Sequence, residues 1–225
     1  MEHDNIALTI SHPESIIVTK RTAYLFFKRF IDIVFGFLGI IFLIPLTIIV
    51  KLIYILTGDF HSIFFTQERI GKNGELFKIY KYRTMVLNAD DILKDLLKDK
   101  KIAYEYKKNK KLEDDPRITK AGTIIRKLSL DEFPQFINVF IGNMSLIGNR
   151  PYLPREKKDM GCYYNNIVST KPGLTGYWQV GGRNNTSFRK RLKLENYYSS
   201  NFSFCMDFKI FFKTFKTVLT RNGAK

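Results

Sequence analysis

The chain has 225 residues, which is enough for one sizeable core or for a smaller core with an appendage. Its 37 Lys and Arg residues outnumber 21 Asp and Glu, so the expected partner is anionic: a nucleic acid, a phosphorylated substrate or an acidic membrane surface. The two cysteines show neither metal-type spacing nor a disulfide framework, which argues against a cysteine-zinc module and a disulfide scaffold.

Residues 1–19 are mixed and polar, and we predict that they form a loosely held N-terminal extension. A secretory signal peptide is not indicated, because the apolar stretch begins only near Phe30 and no small-residue cleavage site follows it.

An uncharged apolar segment covers residues 33–50, and "LIYIL" continues it after Lys51. This length is typical of a transmembrane helix. Pro45 follows about 18 Å of helix at ~1.5 Å per residue, roughly halfway across a bilayer core of ~30 Å. Proline removes a backbone hydrogen bond and kinks helices. A true span, a buried core helix and a re-entrant hairpin all remain open, and we favour the hairpin because a span would export a strongly basic domain.

A β-hairpin is predicted from Ser62 to Met85, where a Gly-Lys-Asn-Gly turn separates an apolar run from "LFKIYKYRT". The second strand alternates apolar and basic residues. Its Lys81 and Arg83 present positive charge to an anion, or else form a solvated strand face. The charge-dense segment that follows, residues 88–120, contains a helix pattern in "ADDILKDLLKD".

The stretch "SLDEFPQ" places two acids side by side ahead of a helix pattern. The apolar face of this helix has the i, i+3, i+4, i+7 spacing: Phe133, Phe136, Ile137 and Phe140. Either Ser129 and Glu132 form a capping box, or Pro134 lies in the first turn. Both arrangements put Asp131 and Glu132 at the helix entrance. Acids at helix starts are commonly structural, so these residues alone do not establish an active site.

The loop "KPGLTGYWQVGGRNN" is rich in glycine and ends with Arg183, a combination that suits phosphate, although it lacks the Walker pattern. The C-terminal "DFKIFFKTFKTVL" predicts an amphipathic helix with Phe on one face and Lys on the other. Such a helix lies in a membrane interface or packs on the core with its basic face solvated.

Six stretches carry a family resemblance: "KRFIDIV", "FTQERIGKNGELFKIYKYRTM", "DDPRITKAG", "IRKLSLDEFPQFINVFIGNMSLIGNRP", "KPGLTGYWQVGGRN" and "DFKIFFKT". In this order they resemble the bacterial sugar transferases, the small monotopic polyprenyl-phosphate phosphoglycosyl transferases. The resemblance covers nearly the whole chain.

The resemblance implies transfer of sugar 1-phosphate from a UDP-sugar to polyprenyl phosphate, usually undecaprenyl phosphate, with release of UMP. This reaction initiates assembly of a surface glycan. Asp131 matches the family nucleophile that forms a phosphosugar-enzyme intermediate, and Glu132 matches its partner; together they are the implied Mg²⁺ ligands. Arg126, Arg150 and Arg183 match phosphate-binding residues, and we add Lys81 and Arg83 to this group. Direct attack by the lipid phosphate, without an adduct, remains an alternative.

The implied fold is α+β: a re-entrant membrane helix-break-helix over residues 20–57, broken at Pro45, and then a small mixed helix and β-hairpin catalytic domain over residues 58–225, with interfacial amphipathic helices. We expect the catalytic domain on the cytoplasmic face of the bacterial inner membrane, in contact with membrane lipids. No nucleic-acid motif is recognised, so nucleic acid is not an expected partner. The sequence specifies neither the sugar nor the oligomeric state.

Three positions depart from the family pattern. Asn149 stands in "GNRP" where the family usually has proline, so we expect a less rigid loop at Arg150. Ile44 replaces a frequent serine before the predicted break. Glu195 stands where Asp is common.

Overall fold

A computed structural model describes residues 13–181 and 186–219. The helices are α1 (Pro13–Leu56), α2 (Ala89–Leu96), α3 (Lys100–Asn109), α4 (Lys120–Lys127), α5 (Gln135–Ile141), α6 (Lys157–Met160), α7 (Tyr164–Val168), α8 (Tyr177–Gly181), α9 (Phe188–Asn201) and α10 (Phe204–Leu219). The strands are β1 (Phe64–Ile70), β2 (Leu76–Tyr82), β3 (Ser145–Ile147) and β4 (Gly173–Thr175). This mixture of helices and short strands agrees with the predicted α+β class.

Strands β1 and β2 form the predicted antiparallel hairpin, with Phe64 opposite Tyr82 and Ile70 opposite Leu76. Within residues 13–181 and 186–219, no strand pairs with the outer edge of β2, which is covered by α5 and the turn before it. Asn138 accepts a hydrogen bond from Tyr80 N (3.0 Å) and donates one to Lys78 O (2.7 Å). The backbone of α5 is thereby held against the hairpin, and the otherwise free strand edge is satisfied.

Strands β3 and β4 form a short parallel pair at the other side of α5. The backbone after β3 lies very close to β4 because both positions of contact are glycines: a Cβ on Gly173 would lie 2.1 Å from Gly148 N. Gly173 N then donates to Asn149 O at 2.7 Å. The loop that carries Arg150 is therefore held against the glycine-rich segment.

The N-terminal half of α1 is joined to the rest of the protein by polar contacts. Asp32 is buried and accepts hydrogen bonds from Ser145 Oγ (3.0 Å) and Leu146 N (2.8 Å) at the start of β3. Arg29 donates to two carbonyls at the end of α5, Val139 O (2.8 Å) and Phe140 O (2.7 Å). These contacts complete backbone hydrogen bonds that β3 and α5 otherwise lack.

The C-terminal half of α1 contributes to the largest apolar core cluster. This cluster joins α1 to the hairpin and α4: Leu43, Leu46, Val50, Tyr54, Ile63, Tyr82, Ala121 and Ile125. Contacts with the same globular body therefore continue from Asp32 to Tyr54, about 33 Å of helix at ~1.5 Å per residue.

Helix α1 is uninterrupted through Pro45, where two helices separated by a break were predicted. The missing N–H of Pro45 leaves Ile41 O without its helical donor. Nearby, Thr47 Oγ1 donates to Leu43 O and lies 2.7 Å from Tyr82 Oη, so this part of the helix is fixed to the hairpin. The start of α1 at Pro13 also lies inside the predicted extension. How α1 meets a bilayer stays a prediction.

Residues 22–56 are long and apolar enough to cross a membrane by length and composition. The side of α1 that faces away from the core exposes many large apolar side chains, among them Phe26, Phe30, Phe42, Ile48 and Leu56. Helix α10 adjoins this surface through contact of Phe211 with Phe35, with ring centroids 6.0 Å apart. It exposes four further rings: Phe204, Phe208, Phe212 and Phe215.

Candidate active site

The two adjacent acids lie in a turn between α4 and α5. Helix α5 begins only at Gln135, and Pro134 is its N-cap, without a side-chain capping bond. Ser129 adopts φ +54°, a left-handed conformation that ends α4: Ser129 N donates to Arg126 O and Leu130 N to Ile125 O, so Ser129 belongs to the C-terminal cap of α4 and not to the start of α5. The capping-box placement was therefore wrong, while the placement with Pro134 in the first turn was early by about one residue. The turn is held in place because Tyr82 N donates to Asp131 O at 3.0 Å.

Asp131 and Glu132 line two different spaces. Asp131 lines a cleft of about 480 Å³, a size typical of small-molecule sites, together with Lys81, Arg126 and Arg150. Glu132 lines a much smaller adjoining recess of about 10 Å³. Lys81 Nζ donates to Glu132 Oε1 at 2.9 Å. One acid is thus presented to the cleft, while a lysine holds the other.

The electrostatic environments of the two acids also differ. Burial raises the pKa of Asp131, Glu132 adds to the rise, and the charges of Lys81 and Arg126 oppose it. For Glu132, partial burial works against ionisation, but the charge and hydrogen bond of Lys81 and the charge of Arg150 lower its pKa. No salt bridge pairs Asp131 with another side chain in the described parts of the chain. A cation bound in the cleft would therefore stabilise the ionised form of Asp131.

These acids fit a Mg²⁺ ion that also contacts phosphate. Within the described residues there is no cluster of three or more His, Cys, Asp or Glu that could form an all-protein cage. Mg²⁺ instead commonly uses one or two carboxylates and completes its octahedron with waters and substrate phosphates. Asp131 and Glu132 are the residues that would hold it.

Arg126 approaches the cleft from the last turn of α4. Its Nε donates to Thr84 Oγ1 at 2.9 Å, which leaves its other nitrogens without a hydrogen bond to any described residue. Burial lowers the pKa of Arg126, while the charges of Asp131 and Asp115 oppose this change. Asp115 is itself bound by both Arg117 Nε (2.8 Å) and Nη2 (2.6 Å). Arg126 is consequently available to an anion beside Asp131.

The loop of Arg150 is anchored by the side chain of Asn149, the residue that stands in place of the usual proline. The side-chain amide nitrogen of Asn149, Nδ2, lies within hydrogen-bonding distance of Ile167 O (3.1 Å), Thr170 Oγ1 (3.3 Å) and Ser199 Oγ (2.6 Å). This buried side chain therefore supplies hydrogen bonds where a proline ring would constrain the backbone, and the expectation of a less rigid loop stays a prediction.

Arg83 is the predicted phosphate ligand that the geometry does not support. Its guanidinium is buried and donates to Ser62 O (2.7 Å), to Met85 O (3.0 Å) and to both oxygens of Asp59 (2.8 and 2.9 Å). It therefore joins the end of α1 to the hairpin rather than offering donors to a ligand. Arg183 lies outside the described residues, and its assignment stays a prediction.

Glu195 is a buried positioning residue that the sequence marked only as a departure from a family pattern. Its Oε1 accepts from Arg150 N at 3.0 Å, and its Oε2 accepts from Tyr152 Oη. Burial raises the pKa of Glu195 to about 7. The Glu195 carboxyl group therefore fixes the backbone at Arg150 through this hydrogen bond.

Trp178 packs against two arginines. The Arg191 guanidinium lies 4.1 Å from its ring centroid and that of Arg150 lies 5.8 Å away, while Trp178 Nε1 donates to Thr186 Oγ1 at 2.6 Å. Arg69, which lines the cleft together with Lys81 and Arg150, was missed as a site residue, because its sequence neighbours give no chemical signal. Only the fold brings these cations together.

Comparison with known proteins agrees with the resemblance. The family model described as "Bacterial sugar transferase" matches residues 23–221. The chain is 42% identical over 200 residues to undecaprenyl-phosphate galactose phosphotransferase of Salmonella typhimurium, covering 88% of this chain and 42% of that protein. It is 39% identical over 198 residues to the exopolysaccharide production protein ExoY of Sinorhizobium fredii, covering 88% and 87% of the two chains.

A third relative, from Aeromonas hydrophila, is named UDP-N-acetylgalactosamine-undecaprenyl-phosphate N-acetylgalactosaminephosphotransferase. It is 35% identical over 210 residues, covering 90% of this chain and 46% of that protein. The chain thus spans less than half the length of the Salmonella and Aeromonas relatives and most of the length of ExoY. Since the family model covers most of its residues, including the acids and arginines of the cleft, the chain belongs to the bacterial sugar transferase family.

Proposed function

We propose that the protein is a phosphoglycosyl transferase that moves a sugar 1-phosphate from a UDP-sugar to polyprenyl phosphate, with undecaprenyl phosphate the expected carrier, and releases UMP. The observation that carries this proposal is the placement of Asp131, an unpaired carboxylate in a cleft lined by Lys81, Arg126 and Arg150. The names of the relatives from Salmonella and Aeromonas supply the carrier and sugar-phosphate chemistry.

In the proposed reaction an oxygen of Asp131 attacks the phosphorus that bears the sugar. The bond from this phosphorus to the bridging oxygen breaks, UMP leaves with that oxygen, and the sugar phosphate remains on Asp131 as an acyl phosphate. An oxygen of the lipid phosphate then attacks the same phosphorus and frees the carboxylate. Mg²⁺, when bound, neutralises phosphate charge that would otherwise repel a carboxylate.

The surrounding side chains have distinct tasks in this scheme. Arg126 and Arg150 bind the non-bridging phosphate oxygens and keep the phosphorus in line with Asp131. Lys81 keeps Glu132 ionised beside the nucleophile. The splitting of the reaction into two phosphoryl transfers lets one basic cleft serve both substrates in turn.

We also propose that the protein is monotopic, with its catalytic domain on the cytoplasmic face of the bacterial inner membrane. Both halves of α1 contact the same globular body: Asp32 bonds to β3, and Tyr54 packs in the core with the hairpin. A perpendicular span would carry one of these ends to the opposite membrane surface. The exposed apolar side of α1 and the exposed rings of α10 therefore both meet lipid on one side of the bilayer.

The catalytic proposal is tested by Asp131→Asn in a Mg²⁺-dependent UMP-release assay over a panel of UDP-sugars with polyprenyl phosphate. We expect loss of turnover and of a sugar-phosphate adduct detectable by mass spectrometry of the intact protein. Asp91→Asn is a matched control, because Asp91 is exposed and pairs only with Lys94. Near-normal turnover by Asp131→Asn would show that another group attacks phosphorus. Turnover by the parent chain through a ternary complex, without an adduct, would favour direct attack by the lipid phosphate.

The topology is tested by labelling single cysteines near positions 15 and 60 with a membrane-impermeant reagent. The native Cys162 and Cys205 are both exposed and are first replaced by serine. We expect both introduced cysteines to react from the same side of the membrane. Reaction from opposite sides would establish a span.

A further inference from the structure

The recess beside Glu132 contains several buried polar groups without a partner. It lies between the hairpin, α5, the Arg150 loop and α8, and has a volume of about 10 Å³. Among the described residues, Arg69 Nε and Arg150 Nε are buried donors with no hydrogen-bond acceptor, and Gln179 Oε1 is a buried acceptor with no donor. Gln135 Nε2 is a buried donor that forms no close hydrogen bond there either, although the Gln135 side chain helps to lower the pKa of the neighbouring Glu132. All four of these residues line the recess.

Unpartnered donors of this kind are costly. A buried polar group that lacks its partner has given up its hydration without a compensating hydrogen bond, and charged groups lose more than neutral ones. Gln135 is only 2% exposed and Arg69 only 8%. A neighbouring amide on the same helix, Asn138, shows the ordinary outcome, since both ends of its side chain are hydrogen-bonded. The recess is therefore arranged for something that the polypeptide itself does not supply.

The charge of the recess identifies an anion. Three cations line it, Arg69, Lys81 and Arg150, against one carboxylate, Glu132. Burial and the adjacent charge of Arg150 lower the pKa of Arg69 to about 10, which leaves this guanidinium charged at neutral pH. Rotation of the terminal amide of Gln179 by 180° exchanges its oxygen for an NH₂ group and adds a further donor.

The size and position of the recess restrict the anion further. Its volume is close to that of one water-sized sphere, so it accepts a single oxygen atom and excludes a whole phosphate group. The same three cations also line the cleft of Asp131, so the recess is a side chamber of that cleft. An oxygen in the recess therefore belongs to a group whose remaining atoms lie in the cleft.

We propose that the recess binds one non-bridging oxygen of the transferred phosphoryl group, with Gln135 Nε2 and the Nε atoms of Arg69 and Arg150 as its donors. This inference rests on the proposed function. Gln135 and Arg69 are then catalytic residues that contact the reacting phosphoryl group and stabilise the charge on its oxygens as phosphorus changes partners. The fixed donors also orient phosphorus toward Asp131 on the cleft side.

The test compares Gln135→Leu with Asn138→Leu, two amide-to-leucine changes on one helix. The binding probe is inorganic phosphate, titrated calorimetrically into the detergent-solubilised full chain. We expect Gln135→Leu to weaken phosphate binding by roughly tenfold or more, because one donor to a charged group is lost. Its kcat for UMP release should fall by about 100-fold, as for loss of one oxyanion donor. Its melting temperature should be unchanged or higher, because an unpaired buried amide has been removed.

Asn138→Leu should be less stable than the parent chain and should melt at a lower temperature. A structural role for Gln135 predicts the same loss of stability in both variants, and that result would overturn the proposal. Gln179→Met is a second variant that removes an amide from the opposite wall of the recess, and it too should weaken phosphate binding. Unchanged phosphate affinity in both recess variants, or no phosphate binding by the parent chain, would also refute the assignment.

The two proposals fail in distinguishable ways. If the parent chain releases UMP and Gln135→Leu does so equally well, the recess assignment is wrong and the proposed reaction stands. If Gln135→Leu loses phosphate binding but the parent chain releases no UMP from any UDP-sugar, the recess is an anion site and the proposed reaction is wrong.

Discussion

Replacement of Asn138 by leucine tests whether the free edge of the hairpin is completed by a side chain. Asn138 is fully buried and satisfies two backbone groups of β2, Tyr80 N and Lys78 O. Leucine has similar bulk but leaves both groups without a partner, at roughly 1–3 kcal/mol each. Allowing for the apolar surface that leucine buries, we expect a net loss of about 3 kcal/mol in the free energy of unfolding.

This loss is large against a typical stability of about 5–15 kcal/mol. For a chain of this size it corresponds to a fall in melting temperature of roughly 6–12 °C. The single tryptophan, Trp178, packs on Arg191 and supplies the fluorescence signal for thermal unfolding in detergent. Asn201→Leu is the matched control, because its exposed amide donates only to Tyr197 O, and we expect a change of about 0.5 kcal/mol or less. The reasoning would be refuted if Asn138→Leu melted within about 2 °C of that control, which is roughly the shift that 0.5 kcal/mol produces.

Two further predictions concern the supports of the cleft. Because burial raises the pKa of Glu195 from 4.5 to about 7, the native state binds the extra proton, so this stabilising contribution is complete below about pH 4.5 and is lost as pH rises through 7. The free energy of unfolding of the parent chain should therefore fall between pH 5 and 8, and Glu195→Gln should remove about 3 kcal/mol of this fall, as measured by thermal melts. An unchanged pH dependence in the variant would contradict the raised pKa of Glu195. Gly122→Ala should destabilise by at least about 2 kcal/mol, because its Cβ would lie 2.0 Å from Thr84 O. Gly181→Ala, whose Cβ would meet no described atom within 4 Å, should melt like the parent chain. Equal melting temperatures of the two variants would show that α4 shifts freely.

The hairpin could be predicted because its information is local. Strand β2 alternates in its own sequence, and the turn residues Asn73 and Gly74 adopt the positive φ angles that such residues favour. The apolar spacing of α5 was equally local. The first residue of α5 could not be predicted locally. The left-handed Ser129 and the hydrogen bond from Tyr82 N to Asp131 O hold residues 129–131 outside the helix, so α5 begins later.

The role of individual cations required the three-dimensional structure. Lys81 lies in β2 and Arg83 directly follows this strand, and the two look equivalent in sequence, but Asp59 binds Arg83 while Lys81 binds Glu132. A guanidinium that is paired with a carboxylate far away in the sequence shows no periodic pattern by which the pairing could be predicted. For the same reason the recess residues Arg69 and Gln135 were missed: their unpaired donors become evident only when neighbouring atoms are in place.

The contacts of α1 have a consequence for the order of events during synthesis. Arg29 and Lys28 emerge from the ribosome long before their partners, since 110 residues separate Arg29 from Val139 and 179 separate Lys28 from Asp207. On the proposed topology, α1 would reach the bilayer with Asp32 and both cations unmatched, and the rest of the protein cannot complete β3 or α5 without it. Membrane insertion and completion of the globular part would then be one cooperative process, and we expect deletion of residues 1–56 to yield an aggregating fragment.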